Sequence, residues 1–368
     1  MLYTVHHTQN PYYTEIQISI LQAVENNEVR KIQYTGRSTY VLSLPKKWVN
    51  ELKLKAGDPV TIMREANNSL SIVPNVVRGP NIFEATSFVT SDKSGPTLKR
   101  TVVSMYLRGF NIMHLRSKTG TIHPSQRDAI REVVRRNLIG TEIIADSSDN
   151  VTIQVLLSLP ELSINTAVRR MFLIGSSMHK DAISTLSGDS QELYKTVIKS
   201  DDEVDRFSLY VLRNLVIASQ NESTLKAIGL KSPADCLSYS AAVRSLERIA
   251  DHASEIAVKS SQIGTIPEEL CKRIIKLSDL SLQLLSDAIE AFLRKDYYLA
   301  DSIVDKSENI RSIENDIIAL IDKEKNPKNY NNIYVKLILE HIRRTAEYSF
   351  DIAEAAMNQI VGEVIEVR

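Results

Sequence analysis

Residues 29–73 read VRKIQYTGRSTYVLSLPKKWVNELKLKAGDPVTIMREANNSLSIV, and this stretch decides how the first part of the chain folds. Short runs of β-branched and aromatic residues flank the turn residues Gly36-Arg37 and, further on, Asn67-Asn68-Ser69, which predicts two β-hairpins. Between them Pro45 suits the first position of a helix, so KKWVNELKL is predicted to be helical. A unit of this size cannot bury a core alone, and we expect a second copy of the chain to complete it.

Basic residues cluster in this unit at a turn, at the base of a strand and at the start of the helix. The cluster consists of Arg30, Lys31, Arg37, Lys46 and Lys47. Cations concentrated on one small unit are typical of contact with nucleic-acid phosphates, whereas a lone surface cation usually interacts only with water. DNA contact and dimerisation without DNA are the two alternatives that these residues leave open.

The order of these elements resembles the AbrB/SpoVT swapped-hairpin family: a Gly-Arg turn, an apolar strand, Leu-Pro, a short helix, a Leu-x-Ala-Gly-Asp turn and a closing hairpin. The resemblance covers about an eighth of the chain and implies an intertwined homodimer in which two chains share one small β-rich barrel. In such a dimer Arg30 and Arg37, with the two lysines after Pro45, would face DNA. Trp48 would anchor the shared core. Ser38-Thr39-Tyr40 lengthen the segment after the turn, a departure from the family pattern that affects the placement of Arg37.

The zero net charge of the 368 residues conceals two oppositely charged parts. Residues 1–158 contain 19 Lys and Arg against 13 Asp and Glu, and residues 159–368 contain 26 against 32. Opposed charges suggest a polyanion as the partner of the first part and a cationic partner for the second, with chance variation as the alternative.

Several common classes of protein are excluded by composition and by the N-terminal sequence. Two cysteines are too few for a disulfide framework. The longest apolar runs fall short of the roughly 18 residues that span a bilayer, and the first residues lack the basic and apolar regions of a secretory signal. We therefore expect a cytoplasmic protein without membrane insertion.

Changes of pattern divide the chain into five predicted segments. Strand-like and helix-like runs alternate in the order βαβαββ after residue 83, which predicts a small α/β domain with a partly parallel sheet. From Pro160 onward every run has helical periodicity, and breakers separate six helices. The segments are an N-terminal tail (1–28), a DNA-binding or dimerisation domain (29–76), the α/β domain (80–158) and two helical bundles (159–262 and 267–368).

The six predicted helices form two sets of three that repeat each other. LERIADHASEIA at 246–257 aligns with IRRTAEYSFDIA at 342–353 at an offset of 96 residues. An offset of 106 residues matches the apolar stripe Val204, Phe207 and Val211 with Ile310, Ile313 and Ile317. Such a repeat predicts two equivalent three-helix bundles.

Four acidic residues flank the apolar stripes of the second and third helices: Asp201, Asp205, Glu247 and Asp251. Carboxylates one helical turn apart repel each other and need a cation or good hydration. If the two stripes pack into one seam, all four would converge at its edge, where oxygen ligands suit a hard or borderline divalent cation. The alternative is a solvated flank with Arg244 and Arg248 as partners.

The sequence RSLERIADHASEIA at 244–257, preceded by a DDEVD helix and repeated in a second set of helices, resembles the PhoU family of phosphate-signalling proteins over residues 160–362. The resemblance implies that Glu247 and Asp251, supported by Asp201 and Asp205, bind divalent or iron-type metal ions. The second bundle departs from this pattern, because Ser307, Arg311 and Arg343 replace three of the four acids and only Glu347 remains. We therefore expect a strong metal site in the first bundle only.

Sequence motifs of catalysis are absent, which argues against an enzyme. The chain has no Glu-x-x-His of a di-iron centre, no Gly-x-Ser-x-Gly and no phosphate-binding loop. His252 and His341 lie in acidic helical surroundings and are predicted to be hydrogen-bonded surface groups instead of catalytic bases. A metal-dependent phosphatase therefore ranks last among the functions considered.

The two resemblances together imply a homodimeric, cytoplasmic regulator of phosphate uptake and phosphate homeostasis. The basic unit would bind promoter DNA, and the helical half would sense phosphate status through a phosphate transporter or a signalling protein. The alternative is an adaptor that binds such a protein and uses its N-terminal unit only to dimerise.

Overall fold

The computed structural model describes residues 28–36, 38–64, 68–74, 82–118, 120–156, 162–187, 191–323 and 330–365. Contacts divide the chain into two compact units, residues 1–81 and 82–368. No helix in the described ranges is long and apolar enough to cross a membrane.

The first unit contains two antiparallel hairpins with a short helix between them. Strand β1 (Gln33–Thr35) pairs with β2 (Thr39–Val41), helix α1 spans Lys46–Glu51, and β3 (Val60–Arg64) pairs with β4 (Leu70–Pro74). Gly36 has φ +65°, a conformation that glycine adopts without strain, and this permits the tight turn after β1. Pro45 is the N-cap of α1, whereas it was predicted to occupy the first helical position.

The first unit lacks a core in a single chain. None of its described residues is buried. Five apolar or aromatic side chains are 59–73% exposed: Ile32, Tyr34, Tyr40, Ile62 and Leu70. One copy of the unit therefore has strands and a helix, but within the described residues these elements enclose nothing.

The second unit begins with a small α/β domain. Its elements are β5 (Glu84–Val89), α2 (Gly95–Leu107), β6 (Ile112–Ser117), α3 (Pro124–Asn137), β7 (Thr141–Asp146) and β8 (Asn150–Val155). The strand order is β5-β6-β8-β7, with β5 and β6 parallel and the other pairs antiparallel, which confirms the partly parallel sheet. The core between the sheet and the two helices includes Leu98, Val102, Met113, Leu115, Ile130 and Ile153, all fully buried.

Eight helices follow in the described residues. They are α4 (Ile164–Ser184), α5 (Gln191–Ser219), α6 (Glu222–Ala227), α7 (Pro233–Ser260), α8 (Glu268–Arg294), α9 (Tyr297–Val304), α10 (Ser307–Lys323) and α11 (Asn332–Val364). Two of the six predicted helices are each divided, the first into α5 and α6 and the second into α9 and α10. Asn221 starts α6 by accepting a hydrogen bond from the backbone N–H of Thr224, and this cap was not predicted.

The two helical bundles share one hydrophobic core. Helix α7 packs along α4 and α5, and α11 packs along both α8 and α7. Most residues of the predicted stripes are buried, and Phe207 and Ile313 are half-buried against the same core. Val204, Val211, Ile249 and Ala250 are inaccessible to solvent, and the cluster continues without a break from α4 to α11. The two predicted bundles thus form one continuous body, because α7 and α11, the last helix of each bundle, bury apolar faces against each other.

The α/β domain is held against helix α5 by a buried arginine. Arg213 is 4% exposed and donates hydrogen bonds to the backbone oxygens of Tyr106 and Gly109. Its guanidinium lies 4.8 Å from the centre of the Tyr106 ring, within the range of a cation–π contact. Tyr106 in turn donates to the backbone oxygen of Ile139 at 3.1 Å. These contacts bring the end of α3 and the start of β7 close to α5.

Candidate functional site

The predicted DNA-contacting cations are exposed in the described part of the first unit. Lys31 precedes β1, and Lys46 and Lys47 form the first turn of α1. Arg30 forms an ion pair with Glu28, so part of its charge is neutralised locally. Arg37 lies outside the described residues. Trp48 is half-buried in one chain, together with its neighbour Val49.

The four predicted metal ligands meet on one side of the first bundle. Asp201 and Asp205 lie on α5, and Glu247 and Asp251 lie on the packed helix α7. Asp201, Asp205 and Glu247 are half-buried, whereas Asp251 is exposed. The charge of Asp251 acts on each of the other three carboxylates, so the set forms one electrostatic group, here called the acidic cluster.

Burial and mutual repulsion disfavour the charged forms in the acidic cluster. Burial raises the pKa of Asp201 to about 7, and the charges of Asp251 and Asp205 add to the effect. Burial likewise raises the pKa of Asp205 to about 6, with Asp251 adding to it. The pKa of Glu247 is raised by burial and by Asp251, although Arg244 partly offsets the rise. Partial desolvation and Glu255 raise the pKa of Asp251.

One carboxylate oxygen of the acidic cluster has no hydrogen-bond partner in the described part of the chain. This is Oδ1 of Asp201, which is buried, and the nearby hydroxyl of Ser254 is likewise buried without a partner there. The two groups are close enough for Ser254 to favour the charged carboxylate, but their geometry is not that of a hydrogen bond. The cluster therefore carries excess negative charge, and one of its buried oxygens lacks a hydrogen bond to the described residues.

The acidic cluster is not a ready-made metal site as its side chains stand. Within the described ranges, no three or more His, Cys, Asp or Glu side chains are arranged so as to hold an ion. The donors are carboxylate oxygens, which hard divalent cations prefer. Binding would require their side chains to turn toward one another.

The second bundle has ion pairs at the corresponding positions. Arg343 forms ion pairs with Glu347 and with Glu314, the latter at 3.0 Å. Arg311 lies 3.5 Å and Arg344 lies 3.0 Å from a carboxylate oxygen of Glu347. Here arginine side chains neutralise the carboxylates directly. Glu314 belongs to this network but was not predicted.

Three histidines lie near the crossing of the long helices, and the spacing along the sequence did not predict this arrangement. Nδ1 of His252 lies 2.7 Å from Nδ1 of His341, and both rings are half-buried rather than on the surface as predicted. His179 is fully buried and lies 3.0 Å from the hydroxyl of Ser278. Burial lowers the pKa of His252 and of His179 to about 4. Burial also lowers the pKa of His341, so the surroundings of all three rings favour the neutral imidazole.

Comparisons with known proteins agree with this architecture. The PhoU domain family matches residues 168–259 and 274–356. The family of the antidote-toxin recognition protein MazE, a bacterial antitoxin, matches residues 33–79.

Similar proteins cover the helical half of the chain. The phosphate-specific transport system accessory protein PhoU homologue of Streptococcus pneumoniae serotype 4 is 24% identical over 227 residues, which is 58% of this chain and 94% of that protein. Its counterpart in Clostridium acetobutylicum is 17% identical over 209 residues, 55% of this chain and 94% of that protein.

Two solved structures align with the same region. The crystal structure of the phosphate transport system regulatory protein PhoU from Streptococcus pneumoniae has a TM-score of 0.46 at 21% identity and covers 55% of this chain and 96% of that one. PhoU from Pseudomonas aeruginosa has a TM-score of 0.46 at 18% identity, covering 54% of this chain and 96% of that one. The family matches show PhoU domains in the helical half of the chain and a MazE/AbrB-like antitoxin domain in the N-terminal unit.

Proposed function

We propose that this chain is a regulator of phosphate uptake that forms a homodimer and binds DNA through its MazE/AbrB-like domain. The observation that carries the proposal is the absence of any buried residue among those described in the first unit. Exposed apolar side chains on paired strands are a liability unless another surface covers them. A second copy of the same unit supplies a matching set of strands and side chains.

The cations of the first unit support DNA as the ligand of the resulting dimer. Lys31, Lys46 and Lys47 are exposed, and dimerisation would double their number on one particle. Phosphate contacts of this kind supply most of the affinity for DNA irrespective of base sequence.

The PhoU half supports regulation of phosphate transport as the biological role. Two proteins that match this half are named as accessory proteins of a phosphate-specific transport system. We infer that the helical half binds a phosphate transporter or a signalling protein in the cytoplasm and acts by binding, without catalysis.

We further propose that a divalent cation, such as manganese or ferrous iron, binds the acidic cluster. The raised pKa values and the unpartnered oxygen of Asp201 support this, since a bound cation would neutralise the carboxylates that now repel one another. Asp201, Asp205, Glu247 and Asp251 would hold the ion. In the second bundle Arg343 and Arg311 fill that electrostatic role, so no ion is needed there.

An electrophoretic mobility shift on the DNA upstream of the gene, repeated across a salt series, tests the proposed function. Phosphate contacts predict an affinity that falls linearly with the logarithm of salt concentration. Absence of a shift even at low salt would favour the adaptor, which dimerises through the same unit without binding DNA.

A further inference from the structure

A cavity of about 370 Å³ lies where the α/β domain meets helix α5. The end of α3 and the start of β7 line one side of it, and Arg206 of α5 lines the other. Its volume is within the range of roughly 300–1,000 Å³ that small-molecule sites occupy. The cavity is remote in sequence from the DNA-contacting cations and belongs to the second unit alone.

Two arginines that line this cavity have no hydrogen-bond or ion-pair partner among the described residues. Nε of Arg206 is buried and makes no hydrogen bond to them. Arg135 is the one arginine of α3 that has no carboxylate partner in the described residues. The other arginines of the helix are paired: Arg127 and Arg131 with Asp146, and Arg136 with Asp202.

Arg206 lines this cavity, whereas Asp205, its neighbour in sequence, belongs to the acidic cluster. The charge of Arg206 acts on Tyr106 in the seam with the α/β domain. Among the described residues that line the cavity, Glu142 is the only acidic one, so these residues carry two positive charges and one negative charge.

A half-buried guanidinium without a counter-ion is unfavourable, because the charge has lost part of its hydration and gained nothing in return. Arginine presents its donors in a planar fork that matches the oxygens of a phosphate group. We propose that this cavity binds a phosphate group, either free phosphate or the phosphate of a small ester, between Arg135 and Arg206. The proposal deepens the proposed role in phosphate regulation and rests on it for its biological meaning, but its test requires neither DNA nor metal.

Isothermal titration of the full-length protein tests the proposal, with inorganic phosphate and glycerol 3-phosphate as separate probes in chloride of matched ionic strength. We expect saturable binding of at least one probe at one site per chain. Arg206→Gln and Arg135→Gln should each weaken that binding about tenfold or more, since each removes hydrogen bonds to a charged group. Arg108→Gln is the matched control, because Arg108 is an exposed arginine that lines a different cavity. It should leave the affinity unchanged.

The thermal melting of the same variants in chloride separates binding from folding. Arg206→Gln removes an unpartnered charge and should melt at or above the wild-type temperature, and Arg135→Gln alters an exposed side chain. Saturable binding that survives both substitutions would overturn the proposal, as would the absence of binding by both probes. Phosphate binding by a protein that fails to shift DNA would contradict the proposed DNA-binding function while supporting this site.

Discussion

Arg343 and Glu347 form an ion pair in the second PhoU domain at the positions that correspond to Glu247 and Asp251 in the first. The same place in the fold is thus neutralised by a side chain in one domain and left with excess negative charge in the other. In the first domain, burial and the charge of Glu255 raise the pKa of Asp251, and a buried oxygen of Asp201 has no hydrogen-bond partner among the described residues. The two domains are therefore internal controls for each other.

Adding a divalent cation should raise the melting temperature of the full-length protein, and Asp251→Asn should abolish the rise. An ion that binds only the folded state at 100 times its Kd stabilises it by about 2.7 kcal/mol. Glu347→Gln is the control in the second domain and should retain the response while lowering the starting stability, because it leaves Arg343 with fewer partners. Equal responses to manganese in wild type and Asp251→Asn would show that the acidic cluster is a solvated flank.

The metal-free protein should become less stable as pH rises from the ordinary carboxyl pKa of 3.8 to the folded-state values of about 6 and about 7, because of Asp205 and Asp201. Folding raises both pKa values above their ordinary 3.8, so the folded state holds more protons than the unfolded state in this window. The free energy of unfolding then falls with increasing pH. Denaturant titrations in EDTA should show that the free energy of unfolding of Asp201→Asn rises relative to that of wild type between pH 5.5 and pH 8. The histidine contributions are common to both proteins.

A carboxylate with the opposite shift serves as the control for this pH dependence. Glu255 accepts a hydrogen bond from Lys259 at 2.8 Å, and that contact lowers its pKa. Glu255→Gln should therefore be less stable than wild type at neutral pH. The difference should vanish at pH values below the pKa of Glu255 in the folded protein. A pH-independent difference between Asp201→Asn and wild type would contradict the assignment of the raised pKa.

Removing cations from the first unit should weaken DNA binding without unfolding the protein. The double substitution Lys46→Ala/Lys47→Ala changes exposed side chains that contribute little to stability. Each lost phosphate contact should reduce the slope of log affinity against log salt by roughly one unit. Arg37→Ala and Arg30→Ala should act in the same direction. Fluorescence anisotropy with a labelled duplex measures the slope, and unchanged binding by all of these variants would place the DNA surface elsewhere.

Ile62→Asp should weaken the association of two chains. Ile62 lies on β3 and is 61% exposed in one chain, so a charge there is harmless unless the side chain becomes buried in a dimer. Burying an isoleucine contributes about 1.5–3 kcal/mol. Sedimentation velocity at several concentrations measures the change. Leu237→Asp is the control, since Leu237 is 74% exposed on helix α7 of the second unit. A dimer unaffected by Ile62→Asp would mean that β3 faces solvent in the assembly.

Local sequence patterns predicted most of the secondary structure, and pairs of residues distant in sequence account for what was not predicted. The hairpins and the βαβαββ order follow from turn residues and periodicity that act within a few positions. The repeat also predicted that Val204 and Ile249 would be buried. The contact of His252 with His341 and the pairing of Arg343 with Glu314 depend on how long helices cross. No spacing along the chain encodes such contacts.

The same limit applies to the candidate sites. The proximity of the four acids was predictable, because two acids one turn apart flank the apolar stripe on each of two helices. Those two stripes must pack against each other. The cavity at Arg206 was not, because it forms where the α/β domain rests on α5, and that docking depends on Arg213 reaching the backbone of Tyr106. Division of the helix that was predicted before residue 229 depended on a single capping residue, Asn221.

Light scattering coupled to size-exclusion chromatography, with and without a duplex from the gene's own upstream region, measures whether two chains assemble and whether the assembly binds DNA. The protein alone should elute at twice the 41.4 kDa of one chain, and at low salt the duplex should add its own mass to that of two chains. A mass of one chain at micromolar concentration would contradict the account, because the first unit would then lack the second copy that completes its core. Two chains that never bind the duplex would contradict its DNA-binding half.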